Sequence, residues 1–130
     1  MDRRQIRIPS DPAELRCVRA TVAEWARRAG FSPATADELA AAVHEAVVNA
    51  MEHGNRYNPA RWVSVYLEES DLALTVTVQD EGPGVRLAEA PVDPLADRGR
   101  GLELMRGLVD EVRTSADVGR TVLVKAKASE

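Results

Sequence analysis

The chain has 130 residues, 45% of them hydrophobic and 29% charged, which is typical of one globular domain with a real core. The net charge of −4 and the lack of a basic, aromatic-interleaved run argue against nucleic acid as a partner. A single cysteine excludes an internal disulfide and a cysteine metal cluster. No apolar run approaches the roughly 20 residues of a membrane span, and no signal-peptide core follows Met1, so we expect no membrane association and a cytoplasmic protein.

The N-terminal half predicts a short strand and two helices. Residues 4–8 alternate polar and apolar side chains, as a strand does. Residues 10–30 begin with an acidic, proline-containing helix start and continue as an amphipathic helix. Ser32 is a candidate cap for the second helix, and Gly54 is the usual residue just past a helix end. The second helix carries an apolar stripe at helical spacing, formed by Leu39, Val43, Val47 and Ala50.

The C-terminal half predicts a hairpin, a long irregular segment, a helix and two final strands. The strands are 62–67, 72–79, 110–114 and 120–127, the helix is 101–109, and the irregular segment is 82–98, long enough to act as a lid. Leu72, Leu74, Val76 and Val78 share one face of their strand, which places Asp80 on that apolar face. In the last strand we assign Val122, Val124 and Ala126 to the inner face, so that Arg120 points inward and Thr121 outward.

This order of elements predicts the α+β class. We expect a two-layer sandwich in which a mixed, mostly antiparallel sheet is covered on one face by about three helices. No internal repeat or linker interrupts the sequence, so residues 1–130 are expected to form a single domain.

Two polar residues interrupt the apolar second helix at a spacing of four. Glu45 and Asn49 therefore lie on one helix face, in or beside the buried surface. A buried carboxylate and amide need partners, and a divalent cation with a water would supply them. The alternative is that both side chains lie on the solvent face of a surface helix.

Two glycine-containing segments follow the hairpin. Asp80 ends an apolar strand face just before Glu-Gly-Pro-Gly84, which predicts a carboxylate beside a cavity; an ordinary turn aspartate is the alternative. The run Arg98-Gly-Arg-Gly-Leu102 precedes a helix, where backbone N–H groups and the helix dipole favour phosphate. A flexible loop is the alternative for this second segment.

Three motifs in this order resemble the nucleotide site of the GHKL (histidine-kinase-like) ATPase superfamily, and most closely the anti-sigma-factor serine/threonine protein kinases of bacterial partner-switching systems. Glu45-Ala-Val-Val-Asn49 with Ala-Met-Glu-His-Gly54 resembles the N box, Asp80-Glu-Gly-Pro-Gly84 the first glycine box, and Gly99-Arg-Gly-Leu102 the second. The resemblance implies the Bergerat-type ATP-binding fold, with ATP and Mg²⁺ as cofactors. It extends from the strand at Ile6 to the strand at Val124.

The resemblance also implies roles for individual residues. Asn49 would coordinate Mg²⁺, Glu45 would be the general base, and Asp80 would accept a hydrogen bond from the adenine amino group. The remaining implied nucleotide contacts are Gly82, Gly84, Arg98, Gly99, Arg100, Gly101, Leu102 and Thr121. Gly84 would allow close approach of the base, Gly99, Gly101 and Leu102 would offer backbone donors to phosphates, and Arg98 and Arg100 would add positive charge unless they are merely solvated. Position 120 departs from the family, which commonly has threonine beside the adenine where this chain has Arg120.

By the same resemblance, the protein is an ATP-dependent serine protein kinase and an anti-sigma factor. It would phosphorylate a serine of a small anti-anti-sigma (STAS-type) protein, sequester a sigma factor, and form a homodimer for which the edge strand at residues 4–8 is suited. Three alternatives stay open. The first is a nucleotide-binding module without catalysis, favoured by Arg120 and disfavoured by Glu45. The second is a related switch kinase that activates a phosphatase, and the third is an unrelated α+β domain that binds no nucleotide. His44 and His53 are expected to have packing or capping roles.

Overall fold

A computed structural model of the chain describes residues 3–82, 97–115 and 117–127, with the backbone alone for residues 97–100. The helices are α1 (Leu15–Arg28), α2 (Pro33–Asn49) and α3 (Asp97–Leu108). The strands are β1 (Arg3–Pro9), β2 (Trp62–Glu69), β3 (Ala73–Gln79), β4 (Glu111–Ser115) and β5 (Arg120–Ala126). Most of the predicted lid, with Gly84, lies outside the described residues.

The capping residues that the sequence indicates lie at the start of α2 and at the start of the short 3₁₀ turn before α1, whereas α1 itself begins at Leu15 without a side-chain cap. Asp11 accepts a hydrogen bond from the Ala13 amide at the start of a short 3₁₀ turn that leads into α1. Ser32 Oγ accepts from the Thr35 amide at 3.2 Å and caps α2. These side chains pair backbone N–H groups that have no partner within the first helical turn.

The five strands form one sheet in the order β1-β2-β3-β5-β4, and each described pairing is antiparallel. The helices cover one face, and the core lies between the two layers, with Trp25, Leu39, Met51, Leu67, Val76 and Leu123 almost fully buried. The predicted α+β sandwich is confirmed. Leu72, expected on the inner face of β3, is instead 74% exposed because β3 begins at Ala73 and Leu72 belongs to the turn.

The inner and outer faces of β5 are the reverse of the prediction. Val78 pairs with Thr121, and Val76 pairs with Leu123, so Thr121 and Leu123 lie on the helix-covered face. Arg120 lies on the opposite face, where its Nε donates to Gln79 Oε1 at 2.9 Å. The prediction was wrong because β5 has apolar side chains on both faces, and the pairing with β3 decides between them.

Two helix boundaries also differ from the prediction. The second helix continues past Asn49 as a π-helical turn, Ala50–Gly54, in place of an α-helix that ends at glycine. Helix α3 begins at Asp97, four residues before the predicted start at Gly101, so Gly99 lies within its first turn and not in a loop before it. Glycine disfavours helix interiors, which is why the sequence indicated a later start.

Within the described residues, no helix is both long and apolar enough to cross a membrane.

Candidate functional site

A cavity of about 160 Å³ lies where α2, the π-helical turn, α3 and the ends of β3 and β5 meet. Its lining is Ala46, Asn49, Ala50, His53, Gly54, Val78, Asp80, Leu102, Met105, Thr114, Gly119, Arg120 and Thr121. Residues from all three sequence motifs therefore border one space. Its volume is below the roughly 300 Å³ of a pocket for a drug-sized ligand, so the enclosed part suits one flat ring system better than a whole nucleotide.

Gly101 of α3 lies directly against the two polar residues of α2. A methyl group added at the Gly101 Cα would lie 2.9 Å from Glu45 Oε1 and 3.1 Å from Asn49 Nδ2. Both side chains are partly buried, so the fully solvated alternative for Glu45 and Asn49 does not hold. A glycine at this position lets the helix backbone approach the carboxylate and the amide more closely than any other residue would allow.

Gly54 lies in the same way against Asp80. A Cβ at Gly54 would lie 2.1 Å from Asp80 Oδ2 and 2.3 Å from its Cγ, well inside contact distance. The π-helical turn thus ends in the one residue type that leaves room for this carboxylate. Gly54 ends the helical segment, as the sequence suggested, and it also allows this close approach to Asp80.

Asp80 is buried, with 9% of its surface exposed, at the point where β3 ends. Its Oδ1 accepts from the Gly82 amide at 2.9 Å, which is the turn contact expected of an aspartate before a glycine. Its own amide donates to Gly119 O at 3.0 Å and fixes it beside β5. Asp80 is therefore a turn residue and also a wall of the cavity.

Apolar side chains form much of the wall around Asp80, together with two threonines and other polar residues. Val78 and Met105 are each 1% exposed and line the cavity from the sheet and from α3. Thr121 lies beside them, because it pairs with Val78 on the inner face. Apolar walls with a few polar groups are the usual construction of a site for an aromatic ring.

Leu102 and Thr121 line the cavity. Arg120 also borders it, although its Nε donates to Gln79 Oε1 on the outer face of the sheet. Helix geometry separates the backbone donors: the Gly99 amide lies in the first turn and is free of an intrahelical partner, whereas the amides of Gly101 and Leu102 are used within α3. Of these three residues, Gly99 is the one whose N–H helix geometry leaves available to a phosphate. Nothing is described of the side chains of Arg98 and Arg100.

The two histidines have different surroundings. His53 lines the cavity, and its Nε2 lies 3.8 Å from Glu52 Oε2. His44 is outside the cavity, and its Nδ1 has no hydrogen-bond partner among the described residues. Burial, followed by the charge of Arg19, lowers the pKa of His44, and the charge of Glu45 opposes this shift.

Sequence reasoning missed Asn55, which it assigned to a loop. The side chain is fully buried and joins three chain segments: its Nδ2 donates to Ser10 Oγ at 2.6 Å and to Trp62 O at 2.9 Å, and its Oδ1 accepts from the Glu81 amide at 2.8 Å. An asparagine after a glycine is ordinary in loops, so nothing in the pattern marked it.

The sheet has helices on one face and a cavity bordered by Asn49, Gly54 and Asp80, with Glu45 and Gly101 in contact with Asn49 or beside it, which is an arrangement that suits a nucleotide. The model of the histidine kinase-like ATPase domain family matches residues 8–126. The chain belongs to this family, which confirms the resemblance that the three motifs indicated.

Within this family, the chain is similar to proteins named as a serine kinase and as an anti-sigma factor. The chain is 32% identical over 129 residues to the serine-protein kinase RsbW of Bacillus licheniformis, with 91% of this chain and 81% of the relative covered. It is 30% identical over 118 residues to the anti-sigma F factor of Clostridium acetobutylicum, with 84% and 82% covered. These relatives confirm the predicted kinship with anti-sigma serine kinases.

The fold also has a match among solved structures. The crystal structure of the RsbU and RsbW domains of Rv1364c from Mycobacterium tuberculosis superposes with a TM-score of 0.70 at 23% identity. The match covers 97% of this chain but only 32% of the other, which is a longer chain. At this identity the match supports the fold.

Proposed function

We propose that this chain is an ATP- and Mg²⁺-dependent serine protein kinase that also acts as an anti-sigma factor in the cytoplasm. Its substrate would be a serine of an anti-anti-sigma (STAS-type) protein, and in the absence of that protein it would hold a sigma factor. The kinase and anti-sigma names of the relatives support this proposal. The whole of residues 1–130 would act as one histidine-kinase-like ATPase domain.

One structural observation carries the proposal: two glycines bring the three motifs into contact. Gly101 lies against Glu45 and Asn49, and Gly54 lies against Asp80. A packing domain without a ligand has no need to keep a carboxylate and an amide partly buried beside glycine backbone, since larger apolar residues would fill the space at lower free energy.

The donor set fits Mg²⁺. Its hard oxygen preference suits the Asn49 side-chain carbonyl, with the other ligands taken from water and phosphate. The ion would supply charge neutralisation between the phosphate oxygens. Gly101 adds no side chain beside Asn49, where a Cβ would lie 3.1 Å from the amide nitrogen.

Glu45 would act as the general base. Its carboxylate would accept the proton of the attacking serine hydroxyl as the serine oxygen bonds to the γ-phosphorus and the bond to ADP breaks. Phosphoryl transfer depends mostly on positioning and on charge stabilisation. A carboxylate one helical turn before the amide ligand lies on the same face, which is the arrangement such a step requires.

The cavity would hold the adenine ring. Asp80 would accept from the adenine amino group, Thr121 and Gly82 would lie at the ring edge, and Val78 and Met105 would cover its faces. Gly99 would donate to a phosphate at the N-terminus of α3, where the helix dipole favours anions. As the resemblance implies, Gly84 would allow close approach of the base, and Arg98 and Arg100 would add positive charge near the phosphates.

Arg120, the feature that favoured a module without catalysis, no longer supports that alternative. Its side chain bonds to Gln79 on the outer face, and Thr121 occupies the inner position beside Asp80. We further propose a homodimer that uses β1, which pairs with β2 alone in the described part of the chain and so leaves one strand edge available.

Transfer of radiolabelled phosphate from ATP to a purified anti-anti-sigma protein tests the proposal. Glu45→Gln should lower the transfer rate at least about 100-fold, as expected for loss of a general base. Glu38→Gln is the matched control, because Glu38 lies on the same helix with its side chain 50% exposed. Equal rates for wild type and Glu45→Gln would contradict the assignment, and binding of ATP without transfer to any antagonist would favour the non-catalytic module.

A further inference from the structure

The turn that presents Asp80 to the cavity is held from outside the cavity by a buried amide. Asn55 is fully buried, and its Oδ1 accepts from the amide of Glu81, the residue that follows Asp80. Its Nδ2 donates to Ser10 Oγ and to Trp62 O. One amide thus ties the end of β3 to the start of β2 and to the residue after β1.

The position of Asn55 in the chain adds a second constraint. It directly follows Gly54, and its own amide donates to Ala50 O at 2.8 Å, which closes the π-helical turn. Gly54 lies against the Asp80 carboxylate, and the adjacent Asn55 accepts a hydrogen bond from the amide of Glu81, the residue after Asp80. Any movement of Asn55 therefore changes both the space left for the Asp80 carboxylate and the path of its backbone.

Glu81 strengthens the same link from its side chain. Its Oε1 accepts from the Trp62 amide at 2.8 Å, and its Oε2 lies 3.4 Å from Arg7 Nη2. The backbone of Trp62 therefore makes two of these hydrogen bonds: its carbonyl accepts from Asn55 Nδ2, and its amide donates to Glu81 Oε1. The turn is anchored through its backbone and through an exposed side chain.

We infer that Asn55 is a positioning residue of the nucleotide site, which fixes the Asp80 carboxylate at the depth and angle that select adenine. The inference rests on the proposed function. The Asp80 carboxylate is an acceptor, so it favours the amino group of adenine and disfavours the carbonyl oxygen that guanine presents at the same place. A shifted carboxylate loses this preference, whereas contacts to the phosphates at α3 stay in place.

Calorimetric titration of the full chain with Mg²⁺-ATP, Mg²⁺-GTP and Mg²⁺-tripolyphosphate tests the inference. Asn55→Ala should weaken ATP binding about tenfold, as loss of an outer hydrogen bond that orients a ligand group typically does. The preference for ATP over GTP should fall in the same variant, and tripolyphosphate binding should be unchanged. A variant that is merely less stable would bind all three ligands with wild-type ratios once folded.

Two controls separate positioning from stability. Ser10→Ala removes the hydroxyl that accepts from Asn55 Nδ2, but it leaves the bond between Asn55 Oδ1 and the Glu81 amide. This variant should therefore have a lower melting temperature and an unchanged ATP affinity. Asn58→Ala removes an exposed asparagine side chain of the same loop, which accepts from the nearby Ala60 amide, and it leaves the backbone bond from the Asn58 amide to Asn55 O in place, so it should change neither quantity. Wild-type ATP affinity and selectivity in folded Asn55→Ala, or an equal loss in Ser10→Ala, would overturn the inference.

If Asn55→Ala does not fold, Asn55→Ser decides the question. Its hydroxyl keeps a polar group at the buried site, but the side chain is one bond shorter than that of asparagine and releases the Glu81 amide that Asn55 Oδ1 accepts from. A lower ATP-to-GTP preference in folded Asn55→Ser supports the inference, and wild-type preference contradicts it. Failure of the wild type to bind ATP is a separate result, because it would overturn the proposed function before any variant is compared.

Discussion

Gly54→Ala should damage the nucleotide site while it changes stability only modestly. The new Cβ would lie 2.1 Å from Asp80 Oδ2, and an ordinary carbon–oxygen contact is about 3.3 Å. The carboxylate must therefore move by about 1 Å, or the π-helical turn must move away from it. Because Asp80 is buried between the turn and β5, neither movement leaves the cavity as it was.

Two opposing terms set the stability change. Overpacking at a buried site costs about 1–3 kcal/mol, whereas alanine in place of a helical glycine stabilises by about 0.5–1 kcal/mol. The free energy of unfolding should fall by about 0–2.5 kcal/mol. Loss of a hydrogen bond to a charged group costs about 1.5–3 kcal/mol, so ATP affinity should fall about 10- to 150-fold.

Gly107→Ala is the matched control, since a Cβ at this position has nothing within 4 Å. Gly107 lies near the C-terminal end of α3, in the helical layer that also contains Gly54. The substitution should raise the free energy of unfolding by up to about 1 kcal/mol and leave ATP affinity unchanged. Urea denaturation gives the stabilities, and calorimetry gives the affinities. Wild-type ATP affinity in a folded Gly54→Ala protein would refute the claim that this glycine makes room for the nucleotide-binding carboxylate.

Three further predictions concern other residues. Gly101→Ala places a methyl group 2.9 Å from Glu45 Oε1, so the rate of phosphate transfer should fall more than the ATP affinity does, and a reversed order in steady-state kinetics would contradict the role of Glu45. Ser32→Ala removes the cap of α2 and should lower the free energy of unfolding by about 1 kcal/mol without a change in ATP affinity, as urea denaturation and calorimetry would report. The pKa of His44 in the folded protein is below its ordinary 6.5. As the pH falls, the unfolded chain therefore takes up this proton before the folded chain does. The free energy of unfolding is highest above pH 6.5 and should decrease as the pH falls toward the folded pKa. Arg19→Gln should raise the pKa of His44 in an NMR titration, and an unchanged pKa would exclude the charge of Arg19 as a cause.

The sequence predicted the parts of the fold that follow from local pattern. β1 and β2 showed clear alternation, and Ser32 marked the start of α2, so these elements lie within a few residues of their expected bounds. Asp80 was also placed correctly, because the run of Leu74, Val76 and Val78 gives β3 one unambiguous apolar face.

The parts that were missed depend on tertiary contacts. The faces of β5 could not be read from Val122, Leu123 and Val124, since apolar residues stand on both sides and only the pairing with β3 selects the inner one. Gly54 was interpreted as a helix stop, although its contact with Asp80 joins residues far apart in the sequence. The buried role of Asn55 likewise arises from three segments that meet only in the folded chain.

A calorimetric titration of the wild-type chain with Mg²⁺-ATP and Mg²⁺-GTP tests the central claim most directly. That claim is that Glu45, Asn49 and Asp80 surround one adenine nucleotide site. The account predicts saturable binding of ATP and at least about tenfold weaker binding of GTP, equivalent to about 1.4 kcal/mol. No heat of binding at millimolar ATP, or equal affinity for the two nucleotides, would contradict it.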